Sequence, residues 1–258
     1  MKLELVQKQK EQLQFVVRDV SPAYVNTLRR VFMAEVPTMA IETVEFRKNA
    51  SSLYDEMIAH RLGLVSLKTD LKSYSEKESC KCKGAGCASC ELKLTLKVKG
   101  PCTVYASDIK SKDPKVVPTF PKTPIATLLE NQELEAEMTA QLGRGKEHAK
   151  WSPCIAFYTF FPKVTTKGAT STKAVAESCP VNVHDLETGN VSAPDKSVHD
   201  CAVCRAYREN PSKPKVEIKD DYLFTIESFG QLEPKEIVEK GLEVLNKQLD
   251  ECTSLLKA

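Results

Sequence analysis

The last twenty-five residues constrain the fold more than any other part of the chain. Val238, Leu242, Leu245, Leu249, Cys252 and Leu256 are spaced 4, 3, 4, 3 and 4 residues apart, behind a proline at position 234. That is an a/d seam running nearly three heptads along one helix. Such a seam does not stay in water. It packs either on the helix's own domain or on another subunit, and a second long helix of like pattern would cover it.

The rest of the chain is long enough to build a core. With 258 residues and 28.7 kDa it makes one large domain or two smaller ones, and 41% hydrophobic with 28% charged residues is ordinary folded composition. Lys+Arg number 37 against 35 Asp+Glu, a net charge of +2, which argues against a protein that coats nucleic acid. The longest apolar run, Ile155 to Phe161, is too short to cross a bilayer, and the start MKLELVQKQKEQ has no signal-peptide core. A soluble, cytoplasmic protein without a membrane segment is expected.

Leu3–Val6 and Leu13–Val17 read as two strands joined by a polar turn. Ser21-Pro22 then caps a helix carrying Tyr24, Leu28, Val31 and Phe32, with Arg29 and Arg30 in its middle, which stops before Pro37. Met39–Phe46 reads as a strand and Ser52–Arg61 as a short helix. Leu92–Lys99 and Leu134–Leu142 alternate strictly, so each is a strand with one buried face. A proline-rich connection, Pro114–Pro124, lies between them. Ile155–Phe161, apolar on both faces, reads as a central strand, and Tyr222–Phe229 as another. From about Lys163 to Lys219, Gly, Ser, Pro, Thr and charge dominate, and such a segment needs a bound cluster or a neighbour to fold.

Ten cysteines without a secretion signal point to metal binding more than to a disulfide framework. Cys80, Cys82, Cys87 and Cys90 fall within eleven residues, and Gly84 and Gly86 let the loop between them turn. Four thiolates at this spacing converge on one tetrahedral ion. The set holds no His, Asp or Glu and has no open position, so its role is structural, with Lys81 and Lys83 offsetting part of the negative charge. Zinc is the default, and an iron–sulfur cluster takes the same ligands. Cys179, followed by Pro180, and the pair Cys201/Cys204 form a second set resembling half of a bacterial ferredoxin run, with Tyr207 and Pro211 where two further ligands would stand. Three cysteines hold a three-iron cluster, or a zinc with His184 or His199, or form the remnant of a lost site, or include an oxidised pair.

Gly143-Arg144-Gly145-Lys146 lacks the spacing of a phosphate loop and reads as a turn between strands. His60 and His148 stand alone, and Cys102 and Cys154 read as small buried hydrophobes. No nucleophile elbow, zinc-protease motif or acidic triplet is present, so the chain reads as a scaffold with metal-stapled modules rather than an enzyme. A zinc-ribbon nucleic-acid binder fits poorly with the charge balance and 7% aromatics. An iron–sulfur electron carrier or redox-sensing protein is the alternative from another class.

Four stretches together resemble one family. Asn26–Thr38 (NTLRRVFMAEVPT) is similar to the signature helix of the alpha-type subunits of RNA polymerase, and Leu53–Leu67 to the segment that follows it there. Gly143–Pro153 (GRGKEHAKWSP) resembles the family's turn, and the heptad helix completes the set, so the likeness runs from about residue 11 to the end. The four-cysteine loop is similar to the zinc loop of eukaryotic members. The Cys179/Cys201/Cys204 insertion resembles the ferredoxin-like domain of archaeal D-type members, with Tyr207 where cluster-binding members carry cysteine.

The resemblance implies an α+β fold with a discontinuous dimerisation domain (1–45 plus 221–258). It further implies an inserted strand-rich domain with the metal loop (46–164) and a small ferredoxin-like insertion (165–220). Its cofactors would be Zn2+ at Cys80–Cys90 and a [3Fe-4S] or [4Fe-4S] cluster at Cys179, Cys201 and Cys204. It implies a non-catalytic assembly subunit that pairs with subunit L and, with subunits N and P, gathers the two large catalytic subunits, with little or no DNA contact of its own. The a/d residues Val238, Leu242, Leu245, Leu249, Cys252 and Leu256, with Leu28, Arg29 and Arg30 of the Ser21–Glu35 helix, would be the subunit interface, the arginines near the face toward the large subunits.

Overall fold

The computed structural model describes residues 2–161, 164–166, 216–218 and 221–257. The second cysteine set, His184, His199, Tyr207, Pro211 and nearly all of the 165–220 insertion lie outside these residues. The fold is mixed and strand-rich, with three α-helices among the described residues. It divides into two compact units, each discontinuous in sequence: Met1–Arg29 with Ala156–Ile226, and Arg30–Ile155 with Glu227–Ala258. No helix among the described residues is long and apolar enough to cross a membrane.

The first unit is built on a sheet of order β1-β2-β12-β9, formed by β1 (Lys2–Lys8), β2 (Gln12–Arg18), β9 (Cys154–Phe161) and β12 (Asp221–Ser228). β1 and β2 are an antiparallel hairpin with Leu3 opposite Val17. β2 and β12 hold the middle, and five consecutive residues of β2 and six of β12 are buried, so both faces of these strands are covered. Phe15 stacks on Phe224 at 5.3 Å, and Tyr158 meets Tyr222 edge-on at 5.7 Å. Burial on both faces leaves polar side chains without water, so they must pair. Gln14 donates to Thr225 Oγ1 at 3.3 Å, and buried Asp221 accepts from Arg18 at 2.5 Å. Val164–Thr166 (β10) and Val216–Ile218 (β11) pair antiparallel as a separate two-stranded ribbon.

One expectation is corrected here. Among the described residues β9 stands at the end of the sheet order rather than in its middle. Its Ala156 is buried, but Ile155 and Phe157 are 46% and 42% exposed. An apolar run marks greasy faces without saying whether a neighbouring strand lies on each side, so periodicity alone does not separate a central strand from an edge strand with an apolar outer face.

The second unit has its core under a sheet of order β3-β8-β4-β6, formed by β3 (Pro37–Asn49), β4 (Glu91–Lys99), β6 (Ile109–Ser111) and β8 (Glu133–Arg144). β8 is antiparallel to both β3 and β4. The alternation read in the sequence is the alternation found: Leu92, Leu94, Leu96, Met138 and Ala140 face inward. On the other face, lysines of β4 meet glutamates of β8, as in Lys97–Glu135 at 2.7 Å, an exposed pair that contributes little to stability. Helix α2 (Asp55–Gly63) buries Ile58 and Leu62 against this core. The proline-rich connection ends in a strand the sequence does not suggest, β7 (Pro124–Leu128), paired with β5 (Cys102–Tyr105).

Helix α1 (Pro22–Ala34) begins as expected: Ser21 Oγ accepts the Tyr24 N–H at 3.3 Å, and proline occupies the first helical position. Helix α3 (Pro234–Leu255) also opens on proline, but the stripe it buries is Pro234, Ile237 and Gly241, one position off the predicted seam. Gly241 lies so close to Phe32 that a Cβ there would sit 2.4 Å from the ring.

Candidate metal centre

Cys80, Cys82, Cys87 and Cys90 lie between the short 3-10 turn Lys77–Ser79 and strand β4. Local hydrogen bonds shape the loop. The Lys83 N–H reaches Cys80 O at 2.9 Å, and those of Cys90 and Glu91 both reach Cys87 O at 2.9 Å. Gly84 and Gly86 have φ of 86° and 88°, a region glycine enters without steric cost, so the turn foreseen from the sequence depends on them. Cys90 is wholly buried and runs directly into β4, which anchors the loop to the sheet, and Lys77 pairs with Glu91 across its base at 2.8 Å.

The geometry fits one tetrahedral ion. All four Sγ atoms lie within 4.8 Å of one another, with Cys80–Cys87 at 3.5 Å, Cys82–Cys90 at 3.6 Å and Cys87–Cys90 at 3.8 Å. A metal–sulfur bond of about 2.3 Å in tetrahedral geometry places sulfurs roughly 3.8 Å apart. A disulfide would need about 2 Å, and the four are free thiols. The Cys87 N–H also points at Cys90 Sγ at 3.3 Å, a donor suited to a thiolate. Hydrogen bonding from Cys80, and then Cys90, brings Cys82 down to about 6, whereas burial pushes Cys90 up to about 12. Metal ligation needs thiolates, and a bound cation would supply the charge that holds all four sulfurs deprotonated. Lys81 and Lys83 are both exposed.

A second feature adjoins the loop. Glu76, Lys77, Cys80 and Lys83 form one wall of a cleft of about 830 Å³, and Gly143, Arg144 and Lys146 form the other. The Gly143–Lys146 turn caps the end of α1. The last carbonyls of a helix have no partner within it. Here Ala34 O accepts the Lys146 N–H at 3.0 Å, Met33 O accepts Ser152 Oγ at 3.0 Å, and Phe32 O faces Cys154 Sγ at 3.6 Å. The fit is tight: a Cβ at Gly145 would fall 2.2 Å from Met33 O, and one at Gly143 2.4 Å from the Trp151 ring. Gly145→Ala is expected to cost about 1–3 kcal/mol, seen as a lower midpoint in chemical denaturation, because the clash is with backbone. Ion pairs complete the junction, with Arg144 reaching Glu76 at 2.5 Å and Glu35 at 3.1 Å. Reading the sequence does not find these groups. The only signal is the pair of glycines around an arginine, which reads as a turn between strands and says nothing of the partners Arg144 meets there.

The predicted interface residues are placed unevenly. Val238, Leu242 and Leu245 are half-buried, Leu249 is 56% and Leu256 83% exposed, and Cys252 is exposed. Leu28 belongs to the buried core, Arg29 is half-buried with its Nε on Asn26 Oδ1 at 3.2 Å, and Arg30 is exposed.

Comparison with known proteins places this architecture. Residues 40–154 match the family described as the RNA polymerase Rpb3/RpoA insert domain. The DNA-directed RNA polymerase subunit Rpo3 of Archaeoglobus fulgidus is 34% identical over 259 residues, 99% of this chain and 97% of its own. The subunit of the same name from Methanosphaera stadtmanae is 35% identical over 97% of this chain and 96% of its own. That from Methanosarcina acetivorans is 33% identical over 99% and 98%. Similarity at this level over the whole length, through both the insert domain and the segments outside it, means that the chain belongs to the archaeal Rpo3 family of DNA-directed RNA polymerase subunits.

Proposed function

We propose that the chain is a non-catalytic assembly component of a cytoplasmic RNA polymerase. It pairs through α3 with a small L-type subunit and, with N- and P-type subunits, forms the platform on which the large catalytic subunits gather. Phosphodiester chemistry and DNA contact belong to those large subunits. The observation that carries this reading is the a/d stripe of α3. The helix spends Ile237 and Gly241 on its own chain and leaves Leu249, Cys252 and Leu256 exposed. An exposed heptad stripe of this length is a helix-pairing surface. Arg30, exposed on α1, is available to a large subunit.

The dimerisation domain is taken as 1–45 plus 221–258, with 46–164 as the inserted domain and 165–220 as a ferredoxin-like piece. This grouping follows the family and sets α3 with the N-terminal strands, whereas within the single chain α3 packs with 30–155. Zn2+ is the ion proposed for Cys80, Cys82, Cys87 and Cys90, since an all-thiolate tetrahedron with no open position suits a structural zinc. An iron–sulfur cluster at Cys179, Cys201 and Cys204 is a separate proposal on residues outside those described. The electron-carrier alternative rests on these same cysteines, and the names of the relatives give it no support.

Co-expression tests the assembly role. The chain expressed alone is expected to aggregate, and co-expression with an L-type subunit is expected to yield a soluble 1:1 complex by gel filtration. A well-behaved monomer that ignores the L-type subunit would overturn it.

A further inference from the structure

We propose that Arg144 is a positioning residue that ties the four-cysteine loop to the far half of α3, so that loading the loop with a metal ion steadies the helix that presents the pairing stripe. This deepens the reading above and rests on its metal site. The connection is a continuous set of polar contacts within one compact unit. Glu76 precedes Cys80 by four residues, and its carbonyl accepts both the N–H and the hydroxyl of Ser79, each at 3.1 Å, so the turn leading into the first ligand is fixed to it. The Glu76 carboxylate takes the Arg144 fork, Nε at 2.5 Å and Nη2 at 2.8 Å. The remaining nitrogen of that guanidinium, Nη1, reaches Glu35 Oε2 at 3.1 Å, just past the end of α1. The same Glu35 oxygen accepts Lys146 Nζ at 3.2 Å and the Gln248 amide of α3 at 3.3 Å.

Two further observations give these contacts weight. The side chains of Arg144, Glu76 and Glu35 are only 19–27% exposed, so the forked pair is shielded in a way that an isolated surface bridge is not. Gln248 continues the buried face of α3, seven residues beyond Gly241, and every described residue from Leu249 to Lys257 is exposed. The Glu35–Gln248 contact therefore holds the helix close to where its own-chain packing stops. Arg144, helped by Lys146 and by Lys247 of α3, keeps Glu76 below the usual carboxylate range, so the charge that anchors the loop is present at neutral pH. A loop without its ion loses the order that positions Glu76. Arg144 then follows or releases that carboxylate, and its hold on Glu35 loosens.

Hydrogen exchange on the full chain, as purified alone or with a partner, tests the link, with cobalt(II) as the probe metal and thiolate-to-cobalt absorption reporting occupancy. In the parent chain, chelation is expected to speed exchange of the Leu245–Leu256 amides by about fivefold or more, along with those of the loop. Glu76→Gln and Arg144→Gln are expected to bind cobalt yet show fast α3 exchange that no longer responds to chelation. Arg144→Lys, which keeps one ion pair, is expected to respond partly. A loop that binds cobalt while α3 exchange ignores it overturns the coupling alone. A loop that takes up no cobalt overturns the coupling together with the metal site. Failure to pair with an L-type subunit bears on the assembly role and leaves this comparison intact.

Discussion

Cys90→Ser is expected to strip the loop of its metal. Cys90 is wholly buried, and its sulfur lies 3.6 Å from that of Cys82 and 3.8 Å from that of Cys87, so no other group can take its place in the tetrahedron. A serine hydroxyl is shorter and stays protonated where a thiol ionises. Structural zinc sites in small domains supply roughly 10–16 kcal/mol. Losing one of four ligands removes about 3–4 kcal/mol of that, which is roughly two to three orders of magnitude in affinity. After dialysis against a competing chelator, elemental analysis for zinc, iron and sulfide should give one metal equivalent at this loop for the parent chain and far less for the variant. Cys102→Ser is the control: that thiol lies outside the cluster and donates only to Lys99 O at 3.4 Å, so the metal content should not change. Acid acts in the same direction as the mutation. Thiolates must be deprotonated to bind, so metal retention falls as pH is lowered, and the loop's contribution to stability falls with it. A Cys90→Ser chain that kept its ion against the chelator as tightly as the parent would refute the four-thiolate site.

The loop is legible in the sequence because its chemistry is local. Four cysteines and two glycines within eleven residues specify a closed knuckle whatever surrounds it. Helix starts are legible for the same reason: Ser21-Pro22 and Pro234 act on backbone groups within one turn. What depends on distant partners is not. β7 exists because it pairs with β5 across an intervening segment that includes β6 and that no composition rule marks, and its proline occupies the first position of the strand, where a missing N–H is tolerated. Arg144 meets Glu76 and Glu35 across separations of 68 and 109 residues, so nothing near it in sequence announces the junction. α2 begins at Asp55 rather than Ser52 because the Asn49 amide bonds Leu53 O at 2.9 Å and Asn49 Oδ1 accepts the Ser51 N–H at 3.1 Å, holding those residues in a turn ahead of the helix. For α3, periodicity finds the amphipathic stripe but not that two adjacent stripes exist, one for the chain itself and one beside it.

That division of α3 gives the sharpest test of the assembly role. Leu245→Asp, in the middle of the a/d stripe, is expected to abolish pairing with an L-type subunit while the chain itself still folds. Leu245 is half-buried in the single chain, so an aspartate there keeps access to water until a partner helix covers it. In the pair, the loss of a buried leucine costs about 2–3 kcal/mol, and enclosing a carboxylate without a counter-charge adds at least as much. Together these weaken binding by roughly a thousandfold or more. Glu243→Lys, away from the seam with only an i,i+3 bridge to Lys240, should leave pairing within about 0.5 kcal/mol of the parent. Ile237→Asp separates the two faces from the other side. Its side chain is fully buried within its own unit, so it should destabilise the chain whether or not a partner is present. Gel filtration of co-expressed pairs reads the first effect and chemical denaturation the second. An unchanged heterodimer carrying Leu245→Asp would mean that the partner does not use this stripe, and the proposed platform would have to be built on another surface.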